Sequence, residues 1–299
     1  MTEDTDVQTG DTVDEPIEIE RLREDFEMAS SNRRRELLSR CVTIAESAPR
    51  TLTPMVETIA ECLCSSSVVN RQETLSVLER LVEEDVAPII EVRDCLLECV
   101  DTEYGAIQMR AAKILAVIAS EQPDSIESDV PKLLSVVAQR TPYEPSVAES
   151  TLADPITQRT IEHHELDERK DGVMGRRLLV GIVRTVLTET STTLTDESIT
   201  TLETLITDDD PVIAGDGAYC LGEIAANGGT IGPSIVRTLI EQLEHHDTAV
   251  RSQVIWALGH AGAPAAIAPL ARLADEDPNG EIRSMAADTV SFLQASERS

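Results

Sequence analysis

Aromatic residues are almost missing from this chain: one Trp, three Tyr and two Phe make up 2% of its 299 residues. Sheet sandwiches and barrels draw on aromatic and β-branched side chains, so the shortage points to helices packed through Leu, Ile, Val and Ala. At 41% hydrophobic, the chain has enough of these to bury a core. Lysine is also scarce, occurring only at Lys113, Lys132 and Lys170, and 25 basic residues face 55 acidic ones for a formal charge of -30. With no basic stripe to displace counterions from phosphate, nucleic acid is not an expected partner. The same excess of carboxylates is the kind of surface that keeps a protein hydrated in a salt-loving organism.

Other absences narrow the function. The opening residues show no basic n-region, apolar h-region or small-residue cleavage site. The six cysteines are therefore expected as thiols in a reducing cytoplasm. The longest uncharged run, Val254 to Ala271, is broken by Gly259, Gly262, Pro264 and Pro269 before a helix could span a bilayer, so no membrane insertion is expected. Neither G-x-x-x-x-G-K-[ST], G-x-S-x-G, H-E-x-x-H nor a convincing dinucleotide fingerprint occurs. No catalytic residue and no cofactor is expected on that ground.

What the chain does have is a repeat. "RSQVIWALG" from Arg251 aligns with "AGDGAYCLG" from Ala214, placing Trp256 over Tyr219 and Leu258-Gly259 over Leu221-Gly222. The same frame continues at Arg34, Arg71, Arg110, Arg176 and Arg283, with steps of 37, 39, 66, 38, 37 and 32 along the chain. All but one are near the length of a two-helix repeat. Four and seven residues after each frame position stand apolar pairs, from Leu38 and Cys41 to Ile255 and Leu258 and to Ala287 and Val290, one buried face of an amphipathic helix. Between them lie second helices, often opened by proline, as at Pro54, Pro88 and Pro131. Asp247 and the acidic runs 208 to 210 and 275 to 277 fall where turns and N-caps are needed.

Helix pairs with Asp in the turn and Arg shortly after, as in "DTAVRSQVIWALG", resemble HEAT repeats, and their "ALG" style is most similar to the short HEAT-like repeats of phycobilisome lyases. The resemblance implies an all-α fold, an α-α superhelix or solenoid of about seven helix pairs, with the Arg-bearing helices on the concave side. The expected organisation is a disordered acidic tail over 1–16, repeats over 17–140, an inserted flexible loop over 141–172 and repeats over 173–295. The insertion reads either as a plain disordered loop or as one that grips a partner.

Three groups of residues compete for a role. His245, His246 and His260 invite a metal reading, but His260 falls on a helix wall nine residues past the frame and the other two fall in a turn, so no metal site is expected. Deoxyhypusine hydroxylases, which resemble this chain in fold, hold a di-iron pair through His-Glu dipeptides early in their repeats. The matching places here read Arg35-Glu36, Gln72-Glu73, Ala111-Ala112, Arg177-Leu178, Gly215-Asp216, Ser252-Gln253 and Ser284-Met285, and the one His-Glu, His164-Glu165, lies in the insertion. Cys62, Cys64, Cys95 and Cys99 could form a thiolate site, but Cys41, Cys62 and Cys220 align with core positions, and packing is the expected role. The third group is Asp216, Tyr219, Glu223, Gln253, Trp256 and His260, which share one face in adjacent repeats. This face reads as an aromatic hot spot for a protein partner or as a packing preference of the repeat. The expectation is a non-enzymatic scaffold or adaptor, such as serves signalling and motility assemblies. The alternative, from the lyase resemblance, is a protein handling a tetrapyrrole, whose propionates would call for a cationic wall.

Overall fold

The computed structural model describes residues 15–65, 67–139 and 155–296. Among these residues the chain is helical with no strand, and it divides into two compact units, Met1–Cys99 and Val100–Ser299. The first holds α1 (Glu15–Glu27), α2 (Ser31–Ser47), α3 (Val56–Ala60), α4 (Val68–Glu84), α5 (Ala87–Ile90) and nearly all of α6 (Arg93–Val100), with 3-10 turns at Pro49–Met55 and Glu61–Cys64. The second holds α7 (Gly105–Glu121), α8 (Val130–Ala138), α9 (Pro155–Glu189), α10 (Asp196–Leu205) and α11 (Pro211–Ala226). It continues through α12 (Pro233–Gln242), α13 (Thr248–His260), α14 (Ile267–Glu276) and α15 (Gly280–Ser296).

The seven frame positions all fall in the longer helices, α2, α4, α7, α9, α11, α13 and α15. In the first unit α2 packs on α4. In the second α7, α9, α11, α13 and α15 stack in succession, while α8, α10, α12 and α14 lie against them as a second layer. The physical cause is the double apolar stripe. Leu38, Cys41, Leu75, Leu78, Ile114, Val180, Val183, Ala218, Leu221, Ile255 and Leu258 are all buried as the repeat frame requires. Each large one contributes roughly 1.5–3 kcal/mol by leaving water. The pattern weakens at Val117, which is half-buried, and gives out at the last helix, where Ala287 is exposed and Val290 only half-buried.

Local signals set the helix starts. Asp210 and Asp247 cap α11 and α13 by accepting from the N–H groups of Val212 and Ala249. Pro211 and Pro233 sit in first turns, where a missing N–H costs nothing. Pro54 departs from expectation: it lies inside the 3-10 stretch Pro49–Met55, and the α-helix starts only at Val56.

The expected loop 141–172 needs correction in its second half. Residues 155–172 are helical and continuous with the frame helix, so that α9 runs 35 residues. The reason is a close helix crossing that a linear pattern does not show. A Cβ on Gly105 would come within 2.2 Å of the Glu168 carbonyl and 2.7 Å of the Gly172 nitrogen, both backbone atoms. Only glycine lets α7 start this close to α9. The Glu168 carboxylate in turn accepts from the Ala106 N–H at 3.4 Å, and Gln108 meets Gly175 one turn later. The part of the insertion over 141–154, and the acidic tail up to residue 14, lie outside the described residues; Glu15 and Pro16 already belong to α1.

Candidate interaction surface

The aligned aromatics do meet. Tyr219 on α11 and Trp256 on α13 stack with ring centroids 4.5 Å apart and planes 7° from parallel. His260, one turn further along α13, lies 4.4 Å from the Trp256 ring, tilted by 50°. The sequence reading missed a fourth member: Arg184 of α9 places its guanidinium 4.1 Å from the Tyr219 centroid. The result is a continuous row, Arg184, Tyr219, Trp256, His260, drawn from three successive frame helices. Tyr219 and Trp256 are half-buried and His260 is exposed.

The row is built into the backbone. A Cβ on Gly222 would lie 2.2 Å and 2.4 Å from two carbons of the Trp256 ring, so the indole rests directly on α11 at the glycine of the "LG" pair. One acidic neighbour is already engaged: Asp216 accepts from Arg184 at 2.8 Å. Burial pushes the Tyr219 phenol up; Thr188 and Arg184 oppose this while Glu223 adds to it. Gln253, half-buried, sits beside Gly215 on the same wall.

Behind the wall runs a ladder of frame arginines. Arg251, 6% exposed, holds Asp277, 5% exposed, through two bonds of 2.8 and 3.1 Å and also donates to the carbonyls of His245 and His246. Arg176 likewise donates to the Val137 carbonyl and to Asp208 at 2.8 Å, and Arg283 donates to the Asp277 carbonyl. Arg251 and Arg283 thus tie the turns before their helices and Arg176 ties the end of α8, while Arg176 and Arg251 also reach the turn before the following frame helix. Burial pushes the Asp277 carboxyl up, yet its bonds from Arg251 and the Asn279 N–H, with the charges of Arg251 and Arg283, hold it below the usual carboxylate range.

This ladder explains the turn histidines. Asp208, His245 and Asp277 each stand six residues before a frame position, and each accepts the N–H two residues on, at 3.0, 3.0 and 2.7 Å. In these three repeats, where the preceding frame residue is Arg176 or Arg251 the acceptor is Asp, and where it is Ala214 the acceptor is His245; in the first unit the same place after Arg34 is held by Ser65, which accepts from the Ser67 N–H. His245 is a turn residue of the repeat, stacked on His246 at 4.3 Å. No group of three or more His, Cys, Asp or Glu side chains suited to a metal occurs among the described residues. A signal in the sequence could have found the ion pairs: Arg176 and Asp208, Arg177 and Asp210, and Arg184 and Asp216 recur at separations of 32, 33 and 32 residues.

The cysteines divide by burial. Cys41, Cys62, Cys99 and Cys220 are buried, Cys95 is half-buried and Cys64 is exposed. Burial pushes the Cys41 thiol up to about 12 and the Cys99 thiol to about 11, as befits packing residues.

Two stacked helical layers, inter-repeat Arg–Asp ties and an outward-facing row of side chains define a HEAT-like α-solenoid. Comparison with known proteins agrees with that class. Residues 199–291 match the family model for HEAT repeats. A crystallised archaeal HEAT-like repeats protein from Thermococcus onnurineus NA1 superposes with a TM-score of 0.51 at 12% identity, over 92% of this chain and 97% of that one, a likeness of fold. An engineered protein gives 0.46 at 19% identity over 81% of this chain and 98% of its own. A designed armadillo repeat protein crystallised with the peptide (KR)4 gives 0.40 at 12% over 92% and 99%. No curated protein matches.

Proposed function

We propose that the protein is a non-enzymatic scaffold or adaptor that binds a protein partner on the wall formed by α9, α11 and α13. The observation that carries this reading is the unbroken row from Arg184 to His260, half-buried aromatics beside Glu223 and Gln253 on successive repeats. An aromatic centre with a polar rim is the usual anatomy of a protein-binding hot spot. A solenoid offers such a wall as an extended surface rather than a deep pocket. Tetrapyrrole handling fits less well, since Arg184, the cation of the row, is already paired with Asp216. No helix among the described residues is long and apolar enough to cross a membrane. The reading adds a role in a signalling or motility assembly and a reducing, salt-rich cytoplasm as the setting.

The test is capture of partners from the native cell at high salt, followed by affinity measurement on the identified partner. Trp256→Ala is expected to weaken that affinity by about 2 kcal/mol, near thirtyfold, while His260→Ala costs less. Circular dichroism of each variant separates lost binding from lost folding. A folded Trp256→Ala protein with unchanged affinity would overturn the assignment.

A further inference from the structure

The first unit carries the register of the aromatic row on α2 but fills it with polar side chains. At plus two, plus five and plus nine after Arg34 stand Glu36, Ser39 and Thr43, where the second unit has Asp216, Tyr219 and Glu223. With Arg35, Arg40 and Glu73 of α4 they line a cleft of about 630 Å³, room for a small polar molecule. Two of its charges are already matched: Arg33 donates to Glu36 at 2.5 Å, and Arg40 has a partner of its own. Glu73 and Arg35 are left over. Glu73 is half-buried, and its Oε2 atom is shut off from solvent without meeting a hydrogen-bond donor among the described residues. Arg35 is exposed, and no hydrogen bond or ion pair joins it to another described residue. A carboxylate held in this way bears a desolvation cost that a cation in the cleft would offset.

We propose that this cleft binds a free basic α-amino acid, its side-chain cation on Glu73 and its carboxylate on Arg35. The two protein charges stand on neighbouring helices, and the axes of packed helices run roughly 8–10 Å apart. A simple zwitterion has both charges on one carbon and cannot meet both groups, whereas a basic side chain holds its cation several bonds from the carboxylate. A cation without a carboxylate would face Arg35 and Arg40 with nothing to offer them, and a dianion would be repelled by Glu36 and Glu73. The hydroxyl oxygens of Ser39 and Thr43 are available to accept from the α-ammonium. The cleft belongs to the first unit and uses no residue of the aromatic row, so it stands or falls independently of the binding role given to that row.

The full chain would be titrated by calorimetry with L-arginine and L-lysine, with agmatine, which lacks the carboxylate, and with glutarate, which lacks the cation. Saturable binding of L-arginine or L-lysine is expected, at least about tenfold tighter than either control. Glu73→Gln keeps the shape and removes the charge; it should weaken the amino acid at least about tenfold while the melting midpoint holds or rises. Arg35→Gln should bring L-arginine down to the level of agmatine, and Trp256→Ala should leave its binding unchanged. Saturable binding of neither amino acid, agmatine held as tightly as L-arginine, or full affinity in a folded Glu73→Gln protein would each overturn the proposal.

Discussion

Arg251 and Asp277 show how much of this fold depends on single side chains. Both are buried, so removing one partner leaves a charge without compensation. Arg251→Ala is expected to cost about 3–5 kcal/mol in chemical unfolding. The neighbouring repeat suggests the remedy, since Ala214 is followed by His245 in the place of Asp277. Adding Asp277→His to Arg251→Ala should recover more than half of the loss, because a neutral imidazole can still accept the Asn279 N–H as His245 accepts that of Asp247. No recovery would mean that the alternation between repeats is accidental. The pH dependence follows from the lowered Asp277 carboxyl. Its stabilisation is complete above its unfolded value of about 3.9 and is lost as pH falls through its own lower value. The stability gap between the unmutated protein and Asp277→Asn should therefore be full at pH 5 and shrink steadily below about pH 4. Gly222 acts by its size instead. Gly222→Ala would press a methyl into the Trp256 ring and should cost about 1–3 kcal/mol, with a changed tryptophan emission that reports the displaced indole.

At the scale of elements, α9 is the unusual one. Its frame half behaves like the other long helices, whereas its first half is an extension that α7 leans against through Gly105. A deletion confined to 160–172 would remove the Glu168 carboxylate and the Gly172 contact from the start of α7. It is expected to lower the melting midpoint clearly, and Gly105→Ala alone should do the same, because its Cβ would collide with backbone that cannot rotate away. Both are readable by thermal circular dichroism. A 160–172 deletion that melts like the intact protein would show the extension to be an appendage after all. Helix placement itself was largely legible, because an apolar pair at plus four and plus seven can only be satisfied by a helix with one buried face. The extension was not, since its residues lack the repeat pattern and are held by a glycine contact 67 residues back in the chain. The aromatic row was half legible. Tyr219 and Trp256 share a register, but Arg184 sits eight residues after its frame position and joins them only because α9 lies beside α11.

For the whole molecule the dominant quantity is the charge of -30. Like charges on a helical surface repel, and the repulsion is screened over about 10 Å at 0.1 M salt but over about 3 Å at 1 M. The melting midpoint is therefore expected to rise between 0.1 and 2 M sodium chloride in thermal scans; a flat or falling midpoint would show that the acidic surface is not a stability liability. The sequence by itself determined the helical class, the repeat frame, most of the core positions and the register shared by Tyr219 and Trp256, because these follow from local periodicity and turn chemistry. Tertiary structure alone decided which residues meet across repeats: Arg251 with Asp277, Arg184 with Tyr219, and Gly105 with Glu168. These contacts depend on how each helix is offset against the next, and that offset is set by packing between residues 26 to 67 positions apart, which no local pattern records.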